Sequence, residues 1–250
     1  MAFLTLRFYS AALSESTSVN VLLPDKREES FRTLWLLHGL SDDESAWMRY
    51  SCVERYARER SLAVVMPSAG RSWYTDTAYG KRYFTFLTEE LPAKMALYFA
   101  GYSPRGEDNF IIGLSMGGYG AVKAALTCPE KYAFCGSLSG SLDVTRKNRP
   151  YDLDEWRSIF GFDIESAEDL GGTRHDLFFL AKEKKSFPYL YRWCGEEDSL
   201  LAGNRAFDEH LTALGIGHTF ETSEGDHSWK WWDKHLVSAL DCLFGRERGE

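Results

Sequence analysis

The sequence is poor in cysteine and proline and lacks any long apolar run. Five cysteines (Cys52, Cys128, Cys135, Cys194, Cys242) are scattered through 250 residues, with no C-x-x-C pair. The odd number and wide spacing speak against a disulfide framework and a zinc site, so buried free thiols are expected. No apolar stretch approaches the ~20 residues needed to span a bilayer. Basic charge is also scarce: 29 Lys and Arg stand against 37 Asp and Glu, a net charge of −8. With no Lys/Arg block, neither a nucleic-acid surface nor an anionic-membrane surface is expected. Nor does the start read as a secretory leader. Residues 1–10 alternate apolar and polar side chains and carry Arg7 inside, whereas a leader puts its charge first and then an unbroken apolar segment. The segment reads as a first strand and the protein as cytoplasmic.

What is present suits a soluble globular protein: 44% hydrophobic and 26% charged residues. A chain this long buries a full core without staples. Aromatics reach 15%, which reads first as core packing and second as an aromatic-lined pocket.

Short apolar runs alternate with longer amphipathic ones, the pattern of strands joined by crossover helices. Strands are expected at 2–9, 18–23, 33–37, 62–66, 110–113, 134–138, 189–194 and 219–222, the first two as an antiparallel hairpin at a sheet edge. Helices are expected at 46–59, at 83–99 with a kink or restart at Pro92, and at 116–127, 203–214 and 229–243. Residues 141–186 break the rhythm, with many charges, Gly171–Gly172 and no clear strand. A connection normally needs far fewer residues, so this segment reads as a partly helical cap insertion within one domain spanning 1–250. Open sheets of this kind bind ligands at the carboxyl ends of their strands, so the chemistry belongs in the loops that follow them.

One such loop reads Gly113-Leu114-Ser115-Met116-Gly117, a G-x-S-x-G turn between an apolar strand and a helix. The small flanking residues let two backbones pass closely while the turn lifts the Ser115 hydroxyl into the open. The helix start directs N–H groups and partial positive charge at the same spot. A phosphate-binding or packing turn is the bland alternative. A serine needs a base, and the base needs an orienting acid, in the chain order Ser, Asp or Glu, His. Of the six histidines, His227 alone lies after the last strand and before the last helix. His175, His210, His218 and His235 read as ordinary surface or core residues. Asp198, in Gly195-Glu196-Glu197-Asp198-Ser199, is the preferred acid, with Glu196 and Glu197 as rivals. Asp226 is too close to His227 in sequence to orient it. Oxyanion donors would be the Met116 N–H and the Leu40 N–H after the 33–37 strand, with Gly39 as the alternative. Read blandly, His38 only hydrogen-bonds that loop. Trp73, Tyr74 and Trp229 are candidates for lining a pocket or for packing loops. Trp231 and Trp232, read as exposed, hint at a homo-oligomer interface.

The segments LLHGLSDDESAW (36–47), SWYTDTAYG (72–80), EELP (89–92), GLSMGGYGA (113–121), CGEEDSL (194–200) and GDHSWKWWD (225–233) together resemble the esterase D-like branch of the α/β-hydrolase superfamily, especially small carboxylesterases of the tributyrin-esterase type. The resemblance runs from about residue 2 to 244 and is weakest in 141–186. It implies a mostly parallel sheet of about eight strands flanked by helices. It also implies a Ser115–His227–Asp198 triad, an oxyanion hole at Leu40 and Met116, a small-molecule ester substrate, and no metal or organic cofactor. S-formylglutathione hydrolases, feruloyl and acetylxylan esterases and mycolyltransferases share the branch. The formylglutathione enzymes typically carry His where this chain has Tyr119, which tilts the expectation away from them. Acyl transfer would use the same residues. A catalytically silent scaffold is disfavoured because all three triad candidates are present, and nothing points to a peptidase.

Overall fold

The computed structural model describes residues 1–25, 30–146, 152–183 and 186–248. Eight strands form one sheet: β1 (Ala2–Ser10), β2 (Glu15–Leu23), β3 (Thr33–Leu37), β4 (Ala63–Pro67), β5 (Asn109–Leu114), β6 (Phe134–Leu138), β7 (Tyr189–Gly195) and β8 (His218–Ser223), in the order β1-β2-β4-β3-β5-β6-β7-β8. β1 and β2 form the expected antiparallel edge hairpin, β2 pairs antiparallel with β4, and every later pairing is parallel. This is the mostly parallel, eight-stranded architecture that the resemblance implies.

Alternation along the strands divides the core. Trp35, Leu37, Val65 and Ile111 join one buried cluster, while Leu34, Leu36, Val64, Phe110 and Ile112 join another. Helices α1 (Ala46–Tyr50) and α2 (Val53–Glu59) contribute Trp47 and Val53 to the second cluster. Farther along the chain come α3 (Tyr83–Thr85), α4 (Leu91–Tyr98), α5 (Met116–Thr127), α6 (Leu153–Phe160), α7 (Leu177–Glu183), α8 (Leu201–Ala213) and α9 (Trp229–Arg248). The first cluster takes Leu91 and Met95 from α4, Ala121 and Ala125 from α5 and Phe207 from α8; the second takes Leu236, Ala239 and Leu240 from α9. Central strands β3, β4, β5 and β6 are buried along their whole length, as strands covered on both faces must be.

Two expected helices differ in form. The 46–59 helix is broken because Ser51 Oγ donates to the Trp47 carbonyl at 2.5 Å and accepts the Val53 N–H at 3.3 Å. Its side chain thus competes with the helical ladder and restarts it. The 83–98 run continues through Pro92 by way of a π-helical stretch, Phe86–Glu90. Pro92 cannot donate to the Thr88 carbonyl; Lys131 Nζ does so instead, at 2.7 Å.

The described part of 141–186 holds α6, a 3₁₀ turn (Ala167–Leu170) and α7, with no strand. Residues 147–151 and 184–185 of that segment lie outside the described residues. Asp152 caps α6 by accepting the Asp154 and Glu155 N–H groups. Trp156 and Phe160 of α6 pack on Trp73, with ring centroids 5.2 and 6.1 Å away.

Candidate active site

Chain order reverses at β3: the chain leaves it towards β4, then returns to its other side as β5. A crevice opens at the carboxyl ends of strands at such a switch point. The loops after β3 and β5 meet there, and they carry the His38–Gly39–Leu40 segment and Ser115.

Ser115 sits between β5 and α5 at φ 52°, ψ −118°, a region costly for a side-chain-bearing residue. Ser41, Trp73, Tyr74 and Ser139 also take positive φ, all in loops beyond the carboxyl ends of β3, β4 and β6. Two more such residues, Ser14 in the β1–β2 turn and Ser61 before β4, lie elsewhere, so most but not all of this strain is gathered around the crevice. The sharp turn at Ser115 is possible because its neighbours lack side chains. A methyl group on Gly113 would stand 2.2 Å from the Gly117 carbonyl oxygen, and one on Gly117 would stand 2.5 Å from that of Leu37.

The loops after β7 and β8 are stitched together. Glu196 N–H donates to the Ser223 carbonyl and Glu197 N–H to that of Gly225, and a methyl group on Gly195 would overlap the Gly225 carbonyl oxygen at 2.0 Å. That closeness brings Asp198 and His227 together. His227 Nδ1 lies 2.7 Å from Asp198 Oδ2, and His227 Nε2 lies 2.9 Å from Ser115 Oγ. A carboxylate can only accept, so Nδ1 carries the proton and Nε2 accepts from the serine hydroxyl. The Asp198 side chain is fully buried, and burial alone would raise its pKa. The hydrogen bond and charge of His227 and the Leu200 N–H outweigh burial, and the carboxyl is held below its usual range. The rivals are placed otherwise: Glu196 and Glu197 are exposed, and Glu197 Oε2 accepts the Gly225 N–H. Asp226 accepts from Ser228.

Leu40 and Met116 flank Ser115 in a cavity of about 300 Å³, which Gly39, Asp42, Trp73, Leu114, Ser199, Leu200, His227 and Trp232 complete. Met116 is the first residue of α5, so its N–H has no carbonyl within the helix to bond. His38 is fully buried and holds the loop rather than facing the cavity. Its Nε2 accepts the Ala69 N–H at 2.9 Å and its Nδ1 donates to the Gly39 carbonyl at 2.8 Å.

Of the proposed lining residues, Gly39 and Trp73 reach the cavity. Tyr74 does not: the backbone turns it into the core, where its ring covers Gly120 and its hydroxyl donates to the His38 carbonyl at 3.0 Å. Trp229 also stands aside, packed against Trp47 and Tyr50. Its place is taken by Trp232, whose ring meets the His227 imidazole edge-on at 4.8 Å. Trp232 is therefore buried rather than exposed, and Trp231 is covered by Gly225, Lys230 and Lys234. That phase was readable, since Trp232, Leu236, Ala239 and Leu243 recur at helical spacing on one buried face.

The other histidines hold structural posts. His210 bonds the Phe178 carbonyl, His218 bonds Asp208, and His235 stacks on Trp193. His175 lies 3.2 Å from both Lys123 Nζ and Thr75 Oγ1 beneath α5, and burial pulls the Lys123 amine down to about 7. Among the described residues no His, Cys, Asp or Glu side chains converge as a metal-holding group, and no helix is long and apolar enough to cross a membrane.

The family described as "Putative esterase" matches residues 10–243. The chain belongs to this esterase family. It is 30% identical to an acetyl esterase of Caldicellulosiruptor saccharolyticus, over 97% of this chain and 98% of that protein. Among solved structures, the substrate-bound fluorophosphonate-binding serine hydrolase F of Staphylococcus aureus superposes with a TM-score of 0.87 at 33% identity, covering 97% of this chain and 98% of that one. S-formylglutathione hydrolase (FrmB) from Staphylococcus aureus superposes at 0.85 with the same identity and coverage. This esterase is thus a carboxylic ester hydrolase of the serine-hydrolase type. Tyr119, the position that tilted the sequence reading, is fully buried and donates to the His175 carbonyl at 2.9 Å. In this esterase that position serves packing beneath the site, not the cavity wall.

Proposed function

We propose that this esterase hydrolyses short-chain acyl esters through an acyl-enzyme formed on Ser115. The observation that carries this reading is the pair of hydrogen bonds from Ser115 Oγ to His227 Nε2 and from His227 Nδ1 to Asp198, at 2.9 and 2.7 Å. As Oγ attacks the ester carbonyl, His227 takes its proton, and Asp198 holds the tautomer and stabilises the imidazolium. The Leu40 and Met116 N–H groups stabilise the oxyanion, each such donor contributing about 3–4 kcal/mol in comparable sites. The start of α5 adds its dipole. His227 then protonates the leaving alcohol, the ester C–O bond breaks, and a water activated by the same imidazole releases the acid. The cavity of about 300 Å³, at the low end of the size of ligand pockets, and its apolar walls Leu40, Trp73, Leu200 and Trp232 support a small acyl group.

Ser115→Ala tests the reading. It should abolish turnover of p-nitrophenyl acetate and butyrate, and wild-type activity should fall as the acyl chain lengthens beyond what the cavity holds. The likeness to S-formylglutathione hydrolase favours one second reading, a thioesterase using the same residues, which a direct comparison of S-formylglutathione with short oxygen esters separates. An added alcohol acceptor distinguishes hydrolysis from acyl transfer. The five cysteines form no disulfide among the described residues, which supports a reducing, cytoplasmic setting.

A further inference from the structure

We infer that the Asp42 carboxylate makes this site select against substrates that carry a carboxylate near the scissile bond, so that its esters are uncharged or cationic. The inference rests on the esterase reading above. Asp42 belongs to the loop after β3 that also carries Leu40, and its side chain forms part of the cavity wall with Ser115 and His227. A methyl group built on Gly39 would lie 3.4 Å from Asp42 Oδ2 and 3.6 Å from Ser115 Cβ. The same point is 2.6 Å from Leu114 Cδ1, so Leu114 fills it, with the Asp42 carboxylate and the Ser115 side chain on either side of it.

Among the described residues the charge is weakly compensated. Arg49 acts on Asp42 only through space, while Asp43 adds a second negative charge. Arg71, which reaches Ser41 of the same loop, is engaged by Glu155. Asp198 faces away from the substrate and is matched by His227. Burial holds the Asp42 carboxyl above its usual range, and the Gly39 N–H directed at it works the other way. A substrate carboxylate entering this partly dehydrated wall meets a like charge at short range. Partial exposure screens the repulsion, so about a tenfold loss in kcat/KM per such carboxylate is expected.

The test uses matched pairs. On the acyl side, ethyl butyrate is compared with monoethyl succinate, in which a carboxylate replaces the terminal methyl. On the alcohol side, phenyl acetate is compared with 4-acetoxybenzoate. The wild type should prefer the neutral member of at least one pair by about tenfold. Asp42→Asn and Asp42→Ser should each shrink that preference about fivefold or more. Asp43→Asn removes the same formal charge from a carboxylate bonded to Ser45 N and Oγ, and it should change the preference by less than about twofold. Equal effects of the Asp42 variants on both members of each pair, or an equal shift from Asp43→Asn, would overturn the inference while leaving the esterase reading intact. Neutral-ester turnover that survives Ser115→Ala would overturn both.

Discussion

His38 and Ala69 are joined by a hydrogen bond that ties the loop after β3 to the loop after β4: the imidazole Nε2 accepts the Ala69 N–H at 2.9 Å. The other nitrogen donates to Gly39, one residue before the Leu40 amide that the proposed mechanism uses. His38→Ala should therefore strand the buried Ala69 N–H, costing about 1–3 kcal/mol in urea denaturation, whereas the Gly39 carbonyl keeps the Asp42 N–H at 3.3 Å. It should also lower kcat more than it raises KM, since the oxyanion loop loses its brace. A variant with wild-type kcat would show that Leu40 needs no such support.

Acid acts on that ring and on two others. Burial pulls His38 below its ordinary 6.5, His175 down to about 2 and His235 down to about 4, with Lys123 and Arg174 adding to the effect at His175 and Lys234 at His235. Below pH 6.5 the unfolded chain takes up protons on these rings while the folded protein does not. Their contribution is thus complete above 6.5 and declines as pH falls towards the folded values. Unfolding free energies at about pH 8 and about pH 5 should show this fall. His235→Phe, which can keep the stack on Trp193 at 3.9 Å, should flatten part of the slope. An unchanged slope would count against the buried neutral state of His235.

Gly117 lies under the same loop, and an added methyl group would meet the Leu37 and His38 carbonyl oxygens at 2.5 and 2.6 Å. Both are backbone atoms and cannot swing aside. Gly117→Ala should therefore move the oxyanion loop away from α5 and lower kcat by about 10²-fold, comparable to removing one oxyanion donor. A steady-state assay beside a thermal melt separates this from global unfolding.

The choice of acid is open to a direct comparison. Asp198→Asn keeps the shape but favours the wrong imidazole tautomer, and kcat should drop by about 10³–10⁴-fold. Glu197→Gln, altering a side chain bonded to Gly225 N–H, should cost less than about tenfold. The reverse ranking would reassign the acid.

Much of this site was legible in the sequence for steric reasons. The turn around Ser115 admits no side chain at Gly113 or Gly117, so the glycines announce it. Chain order picks out His227, because a loop after the final strand is the one place left for the proposed base, and its Nε2 lies 2.9 Å from Ser115 Oγ. The aromatic wall was harder. Trp229, Trp231 and Trp232 are alike in composition, and which one faces His227 depends on how α9 docks on the sheet through Leu236, Ala239 and Leu240. Between pocket lining and loop packing, both open in the sequence, Tyr74 packs: it takes positive φ directly after Trp73, which also does, and its ring covers Gly120. The break at Ser51 turns on a single hydroxyl that a periodic pattern does not register.

The most direct test of the central claim is covalent labelling with a fluorophosphonate, followed by peptide mass analysis. One adduct per chain is expected, on the peptide that contains Ser115, and its formation should slow by orders of magnitude in His227→Ala. An adduct on another residue, or labelling of His227→Ala at the wild-type rate, would contradict the account.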